Sequence, residues 1–193
     1  MQRFAEYFSI RQDTTVLDMG GAHAIWAFME TRPKVTILDV HEPRNKASWA
    51  IYIVADGCDT GIPSHSFEVV FSNSVIEHVG SFDRQRQFAA ECARCGRGYY
   101  VQTPNKWFPL DPHTFMLFAH WLPQRWYTKL MRISPRFLMT TPNPAEIEDQ
   151  LNMRMLTKRE MQELFPGAQI IEEKFLGLTK SLIAASPRRS DLY

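Results

Sequence analysis

The chain has little charge of one sign. Its 22 lysines and arginines face 21 aspartates and glutamates in 193 residues, a formal net charge of +1. No strong global field recruits nucleic acid, which is not expected as a partner. No apolar run approaches transmembrane length. The first residues, Met1-Gln2-Arg3-Phe4-Ala5-Glu6, lack an apolar signal segment, so a cytoplasmic location is the expectation. Cysteine is scarce, with only Cys58, Cys92 and Cys95. An odd count suits no disulfide framework. Cys92-Ala93-Arg94-Cys95 has a C-x-x-C spacing, but no second pair or histidine follows at zinc-site distance. It reads as thiols sharing one helix face, and no metal site is expected.

Aromatic residues, by contrast, are plentiful, with 13 Phe, 6 Tyr and 5 Trp. They must fill a core, line a pocket or meet an apolar partner. The length suits one domain, residues 1–193, with a sizeable core.

Apolar, β-branched runs recur between polar turns and predict an alternating strand–helix order. Residues 14–19 read as a first strand. Gly20 and Gly21 then form a tight turn in which the backbone can approach a ligand, and a helix over 22–31 follows. Val35-Thr36-Ile37-Leu38-Asp39 is a second strand. In dinucleotide-type folds an acid at this position accepts hydrogen bonds from ribose hydroxyls; capping of the loop is the plainer alternative for Asp39. Residues 50–55 form strand three, and the gap from Asp39 is too short for a full crossover helix. Asp56-Gly57-Cys58-Asp59 is a loop at a carboxyl-terminal strand end, where α/β sheets bind ligands.

Residues 66–73 form strand four. A helix over 82–94 is capped by Ser81, buries Phe88, Ala89 and Cys92, and is ended by Gly96-Arg97-Gly98. Strand five spans 99–103. Residues 140–156 read as a connection, Thr157-Lys158-Arg159-Glu160 as a capping box for a helix over 158–165, and 168–175 with 178–185 as a hairpin. Residues 187–193 read as a frayed tail.

Thr15-Val16-Leu17-Asp18-Met19-Gly20-Gly21-Ala22-His23-Ala24 resembles the first motif of class I S-adenosylmethionine-dependent methyltransferases. Ala22 and Ala24 depart from it, standing where that family usually has glycines. Ser72-Asn73-Ser74-Val75-Ile76-Glu77-His78-Val79 and the stretch from Thr103 to His113 resemble the small-molecule group called type 11. The resemblance spans residues 14–185. It implies a Rossmann-like α/β domain with a mostly parallel seven-stranded sheet, strand order 3-2-1-4-5-7-6, and an antiparallel C-terminal hairpin. It implies S-adenosylmethionine as cofactor, held by Asp18, Gly20, Gly21 and Ala22 at the first turn. Asp39 would then meet the ribose, Asp56 and Gly57 the adenine, and Asn73 the methionine end; Asp59 is the rival to Asp56, though it reads more simply as a turn cap or solvated acid. The activity implied is methyl transfer to a small organic or lipid-linked acceptor. A catalytically inactive methyltransferase-like binding protein is the alternative, kept open by Ala22 and Ala24. A nicotinamide oxidoreductase would want a full glycine fingerprint and would lack the terminal hairpin.

An oxygen or carbon acceptor wants a base near its operating pKa. His113 and His78 are the candidates; Glu77 reads as a structural acceptor. Residues 106–150 form an inserted helical section on the substrate side. Phe108-Pro109-Leu110-Asp111-Pro112-His113 is a proline-braced loop. Beyond it Arg125, Lys129, Arg132 and Arg136 alternate with Trp126, Tyr127, Leu130 and Met131. That pattern fits a helix packed on the sheet with solvated basic side chains, a lid over the acceptor, or a peripheral membrane contact.

Overall fold

The structure is a computed structural model that describes residues 1–140 and 144–188, without the side chains of 144–146 and 149. Seven strands form one sheet: β1 (Thr15–Met19), β2 (Lys34–Asp39), β3 (Ile51–Val54), β4 (Phe67–Asn73), β5 (Gly96–Pro104), β6 (Gln169–Phe175) and β7 (Leu178–Ser186). Their order is β3-β2-β1-β4-β5-β7-β6, as the resemblance implies. β1 runs parallel to β2 and β4, and β5 parallel to β4. β7 lies antiparallel between β5 and β6. Strand order reverses between β1 and β4, which opens a crevice at their carboxyl ends, the usual ligand position in such sheets.

Alternate residues of each strand face opposite layers. Leu17, Met19, Leu38, Val70, Val101, Leu182 and Ala184 form one core with Phe88, Ala89 and Cys92 of α2 (Phe82–Cys95) and Met161 and Leu164 of α6 (Lys158–Leu164). Val16, Val35, Ile37, Phe71, Tyr100 and Ile183 form the other, with Phe4 of α1 (Gln2–Tyr7), Phe8 and Trp26. Both sheet faces are thus covered, which is why the strands read as continuous apolar runs rather than alternating ones. Ser81 accepts from the Arg84 amide to cap α2. The full capping box of Thr157 and Glu160 starts α6.

Three expectations need correction. The stretch after the first glycine turn is a 3-10 helix, His23–Phe28, rather than a longer α-helix. It has no side-chain cap, and its Trp26 reaches beneath the turn, where the indole N–H donates to Asp18 at 2.7 Å. A short, tight 3-10 turn accommodates that inward pull. Next, Gly96 does not terminate α2 through a left-handed cap. Its φ is −101° and β5 begins there at once. The need is for space: a Cβ on Gly96 would lie 2.5 Å from the Gly98 carbonyl oxygen, and one on Gly98 2.8 Å from the Ser186 carbonyl oxygen. Finally, residues 140–156 are not a plain connection. They contain α5 (Pro144–Asn152), with proline at the first helical position, where its missing N–H costs nothing. Residues 141–143 and the end of the tail, 189–193, lie outside the described residues.

The section from 106 to 150 also holds α3 (Gln124–Met131) and α4 (Pro135–Thr140). Ala119, Tyr127 and Met131 form a small separate core there, with Phe137, Ile147 and Leu151 packed against it. No helix of the described residues is long and apolar enough to cross a membrane.

Candidate active site

The carboxyl end of β1 runs into Gly20, whose φ of +75° favours glycine. Space adds a second demand, because a Cβ there would lie 2.5 Å from Val75. The Gly20 amide donates to the Leu38 carbonyl at 2.7 Å and ties the turn to β2. Around this turn lies a cavity of about 610 Å³ lined by Gly20, Leu38, Asp39, Val40, His41, Asp56, Gly57, Ser74, Val75, His78, Val79, Arg84 and Phe88. Its size is that of a site for a ligand of cofactor dimensions. A second cavity of about 390 Å³ lies alongside, lined among others by Gly21, Ala22, His23, Asp39 and Tyr52.

The residues expected to hold a cofactor divide among these places. Gly20, Asp39, Asp56 and Gly57 line the first cavity. Gly21 and Ala22 line the second, which shares Asp39. One Asp39 oxygen accepts from the His41 amide at 2.8 Å, which fixes the carboxylate and leaves its other oxygen for a ligand. Asp56 is already engaged. Arg84 donates to its Oδ2 at 2.7 Å and the Cys58 amide to its Oδ1 at 2.8 Å. The Arg84 bond, then the Cys58 amide, hold Asp56 below the usual carboxylate range.

Two residues of the set are not at a cavity wall. Asp18 is buried beneath the turn. Its carboxyl lies so close to the Gly21 backbone that a Cβ on Gly21 would fall 1.9 Å from Oδ2. Burial raises its pKa to about 7, against the opposing effect of the Trp26 hydrogen bond. Asp18 thus props the turn from below. Asn73 is exposed, and its Oδ1 accepts from Ser74 Oγ at 3.3 Å. The neighbouring residues Ser74 and Val75 line the cavity in its place, because the chain turns at Ser74, with φ of +58°.

Ala22 has φ of −120°, and Ala24 is not among the residues of positive φ. Both alanines occupy backbone conformations open to any residue, so neither distorts the turn.

His78 and His113 come together although 35 positions separate them in the chain. Their ring centroids are 5.3 Å apart at 74°. Glu77 joins them: one donor atom from each of Glu77, His78 and His113 lies within 4.8 Å of the others. Glu77 is fully buried. Its Oε2 accepts from Thr103 Oγ1 of β5 at 2.9 Å, while Oε1 has no hydrogen-bond partner among the described residues. Burial raises its pKa.

His113 is held by a hydrogen-bonded loop. Asp111, also fully buried, accepts from the His113 amide at 2.9 Å and from Thr114 Oγ1 at 2.7 Å, and its Oδ1 lies 3.5 Å from His113 Nδ1. Burial works to raise the Asp111 pKa, but these bonds outweigh it and keep the carboxyl below its usual value. The loop closes through Asp111 N–H to the Met116 carbonyl and Phe118 N–H to the Pro109 carbonyl. It carries Phe115 and Phe118 at left-handed φ of 59° and 62°. Such angles cost about 1–3 kcal/mol each and persist only where surroundings impose them.

Glu77 was legible only as a structural acceptor, and Asp111 only as a turn residue. Their meeting with the histidines depends on the return path of the 109–118 loop, for which the sequence carries no spacing signal. The cysteines behave as expected: all three are buried and free.

Residues 19–98 match the family pattern described as a methyltransferase domain. The chain has the fold of class I methyltransferases. Solved structures agree on the fold. A Rhodobacter sphaeroides protein provisionally named a zinc-dependent alcohol dehydrogenase superposes with a TM-score of 0.65 at 13% identity, over 97% of this chain and 88% of that one. A Methanosarcina mazei S-adenosylmethionine-dependent methyltransferase gives 0.55 at 14% identity, over 97% and 98%. The Haemonchus contortus phosphoethanolamine N-methyltransferase 2, solved with phosphomonomethylethanolamine and S-adenosylhomocysteine, gives 0.54 at 16%, over 88% of this chain and 37% of that one. At such identities the likeness establishes the methyltransferase fold and not the substrate. A comparison with curated proteins finds no match.

Proposed function

We propose that the chain binds S-adenosylmethionine in the 610 Å³ cavity and transfers its methyl group to a small organic acceptor. The observation that carries this reading is the meeting of Gly20, Asp39 and Asp56 along one cavity wall, at the ends of three adjacent strands. The residues fit the cofactor. Gly20 offers a turn with no side chain to obstruct a close approach. Asp39 keeps an oxygen for ribose hydroxyls. Asp56, already paired with Arg84, keeps lone pairs for an adenine amino group, since a carboxylate accepts about four hydrogen bonds. Gly57 holds that loop against Phe88, where a Cβ would lie 2.8 Å from the ring.

The cofactor supplies an electrophilic methyl group. The protein's part is to hold the acceptor in line with it and to exclude water, and this positioning is where most of the rate arises. In this reading residues 106–150 are the inserted substrate-side section of a single domain. Trp107, Phe118 and Trp121 form a continuous aromatic cluster there, with centroids 5.1 to 6.0 Å apart, and Trp107 is 62% exposed. An acceptor with an apolar body, lipid-linked acceptors included, fits such a surface. His78 lines the cavity, and His113, a residue of this section, lies against it, so the two are the candidates to take the acceptor's proton where no metal ion activates it.

Calorimetry with S-adenosylhomocysteine tests the cofactor assignment. Asp39→Ala is expected to weaken binding by about 1.5–3 kcal/mol, the worth of a hydrogen bond to a charged group. Unchanged affinity would refute the assignment of Asp39 to the ribose.

A further inference from the structure

We propose that Glu77, His78 and His113 hold a divalent cation, zinc by the nature of its donors, at the acceptor end of the cleft, with an open coordination position for an acceptor hydroxyl. Two imidazoles and one carboxylate around an open position form a known catalytic zinc set, and imidazole suits zinc among the divalent ions. The proposal deepens the methyl-transfer reading and rests on it for the acceptor's role, though not for the binding of metal.

Three independent features support the site. The first is distance. A tetrahedral ion with bonds of about 2.1 Å keeps its donors roughly 3.4 Å apart. The donors here lie within 4.8 Å of one another, so small side-chain rotations complete the shell. The second is Glu77. Thr103 fixes one of its oxygens, and the other is buried with no hydrogen-bond partner among the described residues. A buried oxygen without a partner is costly, and a cation would satisfy it. The third is Asp111. Its carboxylate faces His113 Nδ1 at 3.5 Å and is itself fixed by Thr114 Oγ1 and the His113 amide. A ligating histidine is characteristically backed by a carboxylate on its other ring nitrogen, which sets the ring's orientation and raises its basicity. Nε2 of His113 is then the nitrogen left for the ion.

His78 also lines the cofactor cavity, so the ion would lie at its wall. A hydroxyl coordinated there ionises near neutral pH. Its proton leaves to solvent, its oxygen lone pair forms the new carbon–oxygen bond, and the methyl–sulfur bond breaks with its electron pair passing to sulfur. The histidines then act as ligands, and no free imidazole base is needed. The acceptor class is an alcohol or phenol.

The decisive experiment titrates zinc, with no other ligand present, into chelator-stripped protein against a chromophoric competitor. One tight equivalent is expected. His78→Ala and His113→Ala should each weaken it by at least 10-fold. Asp111→Asn should weaken it by about 10- to 100-fold, the usual effect of losing a carboxylate behind a ligand. Cys92→Ser with Cys95→Ser should leave it unchanged. Cobalt in place of zinc should give visible bands of a four- or five-coordinate ion that His113→Ala abolishes. Absence of a tight equivalent, or an equivalent that survives His78→Ala and His113→Ala together, would overturn the site. Retained circular dichroism and S-adenosylhomocysteine binding in His113→Ala exclude misfolding as the cause of a loss. If the unaltered protein binds zinc but no S-adenosylhomocysteine, the methyl-transfer reading fails and the metal site stands. The reverse result removes the metal and leaves methyl transfer.

Discussion

At the scale of single residues, the first turn is governed by what lies directly above and below it. Gly20 is closed off by Val75 and by its own positive φ, and Gly21 by the Asp18 carboxyl. Ala22, at φ of −120°, has neither constraint. Ala22→Gly is therefore expected to leave S-adenosylhomocysteine affinity within about twofold and to lower stability by roughly 0.5–1 kcal/mol through the freer unfolded chain. Calorimetry and urea unfolding measure the two. A large gain in affinity would mean that the native turn is impaired. Asp18 sets a pH dependence. Its folded pKa of about 7 lies above the ordinary 3.8, so the folded state holds the proton more tightly than the unfolded one. The stabilisation is complete below the unfolded value, falls as pH rises from there to about 7, and changes no further above it. Asp18→Asn cannot ionise and still offers the Trp26 N–H an acceptor. The stability of the natural protein relative to this variant should fall by about 2–3 kcal/mol between pH 5 and pH 8. A difference independent of pH would show that Asp18 is ionised throughout.

At the scale of elements, local rules account for the helices that begin with a cap. The Thr157 side chain accepts from the Glu160 amide, and Glu160 bonds back to Thr157 N–H at 2.8 Å. Arg154 adds an ion pair to the same glutamate. Thr157→Ala should cost about 1 kcal/mol, read as a lower urea midpoint at unchanged slope. The short helices of the 106–150 section differ in kind. They pack on a small core of their own around Tyr127 and Met131, and Ile133, Leu138 and Met139 remain exposed. Elements with so little buried apolar surface open at low free energy. On the proposed reading, in which this section lies on the substrate side, that property would let it open to admit an acceptor.

At the scale of the whole molecule, stability should follow the sheet. β1 and β4 lie at its centre with both faces covered. Native-state hydrogen exchange should find the amides of β1, β4 and β5 the slowest, exchanging only through global unfolding. Those of α3 to α5 should exchange orders of magnitude faster. Equal protection of the two regions would show that the 106–150 section folds and unfolds with the sheet. The same arrangement positions the site. Gly20, Asp39, Asp56 and Ser74 lie at or just beyond the ends of four different strands, and parallel pairing brings those strand ends to one edge.

The sequence by itself determined the sheet, because an element buried on both faces must be a near-continuous apolar run, and such runs stand out between polar turns. It also determined Gly20, the acid at Asp39 and the capping box, since these obey local backbone rules within a few residues. Tertiary structure decided the rest. The path of β1 put Asp18 under the turn and away from the cavity. Packing of Trp26 onto that carboxyl shortened the predicted helix to a 3-10 turn. Glu77, His78 and His113 form one cluster only because β4 and β5 are neighbours and the loop after β5 folds back over the end of β4. Local propensity acts over one or two turns of chain. A contact between residues 77 and 113 depends on the packing of the whole sheet.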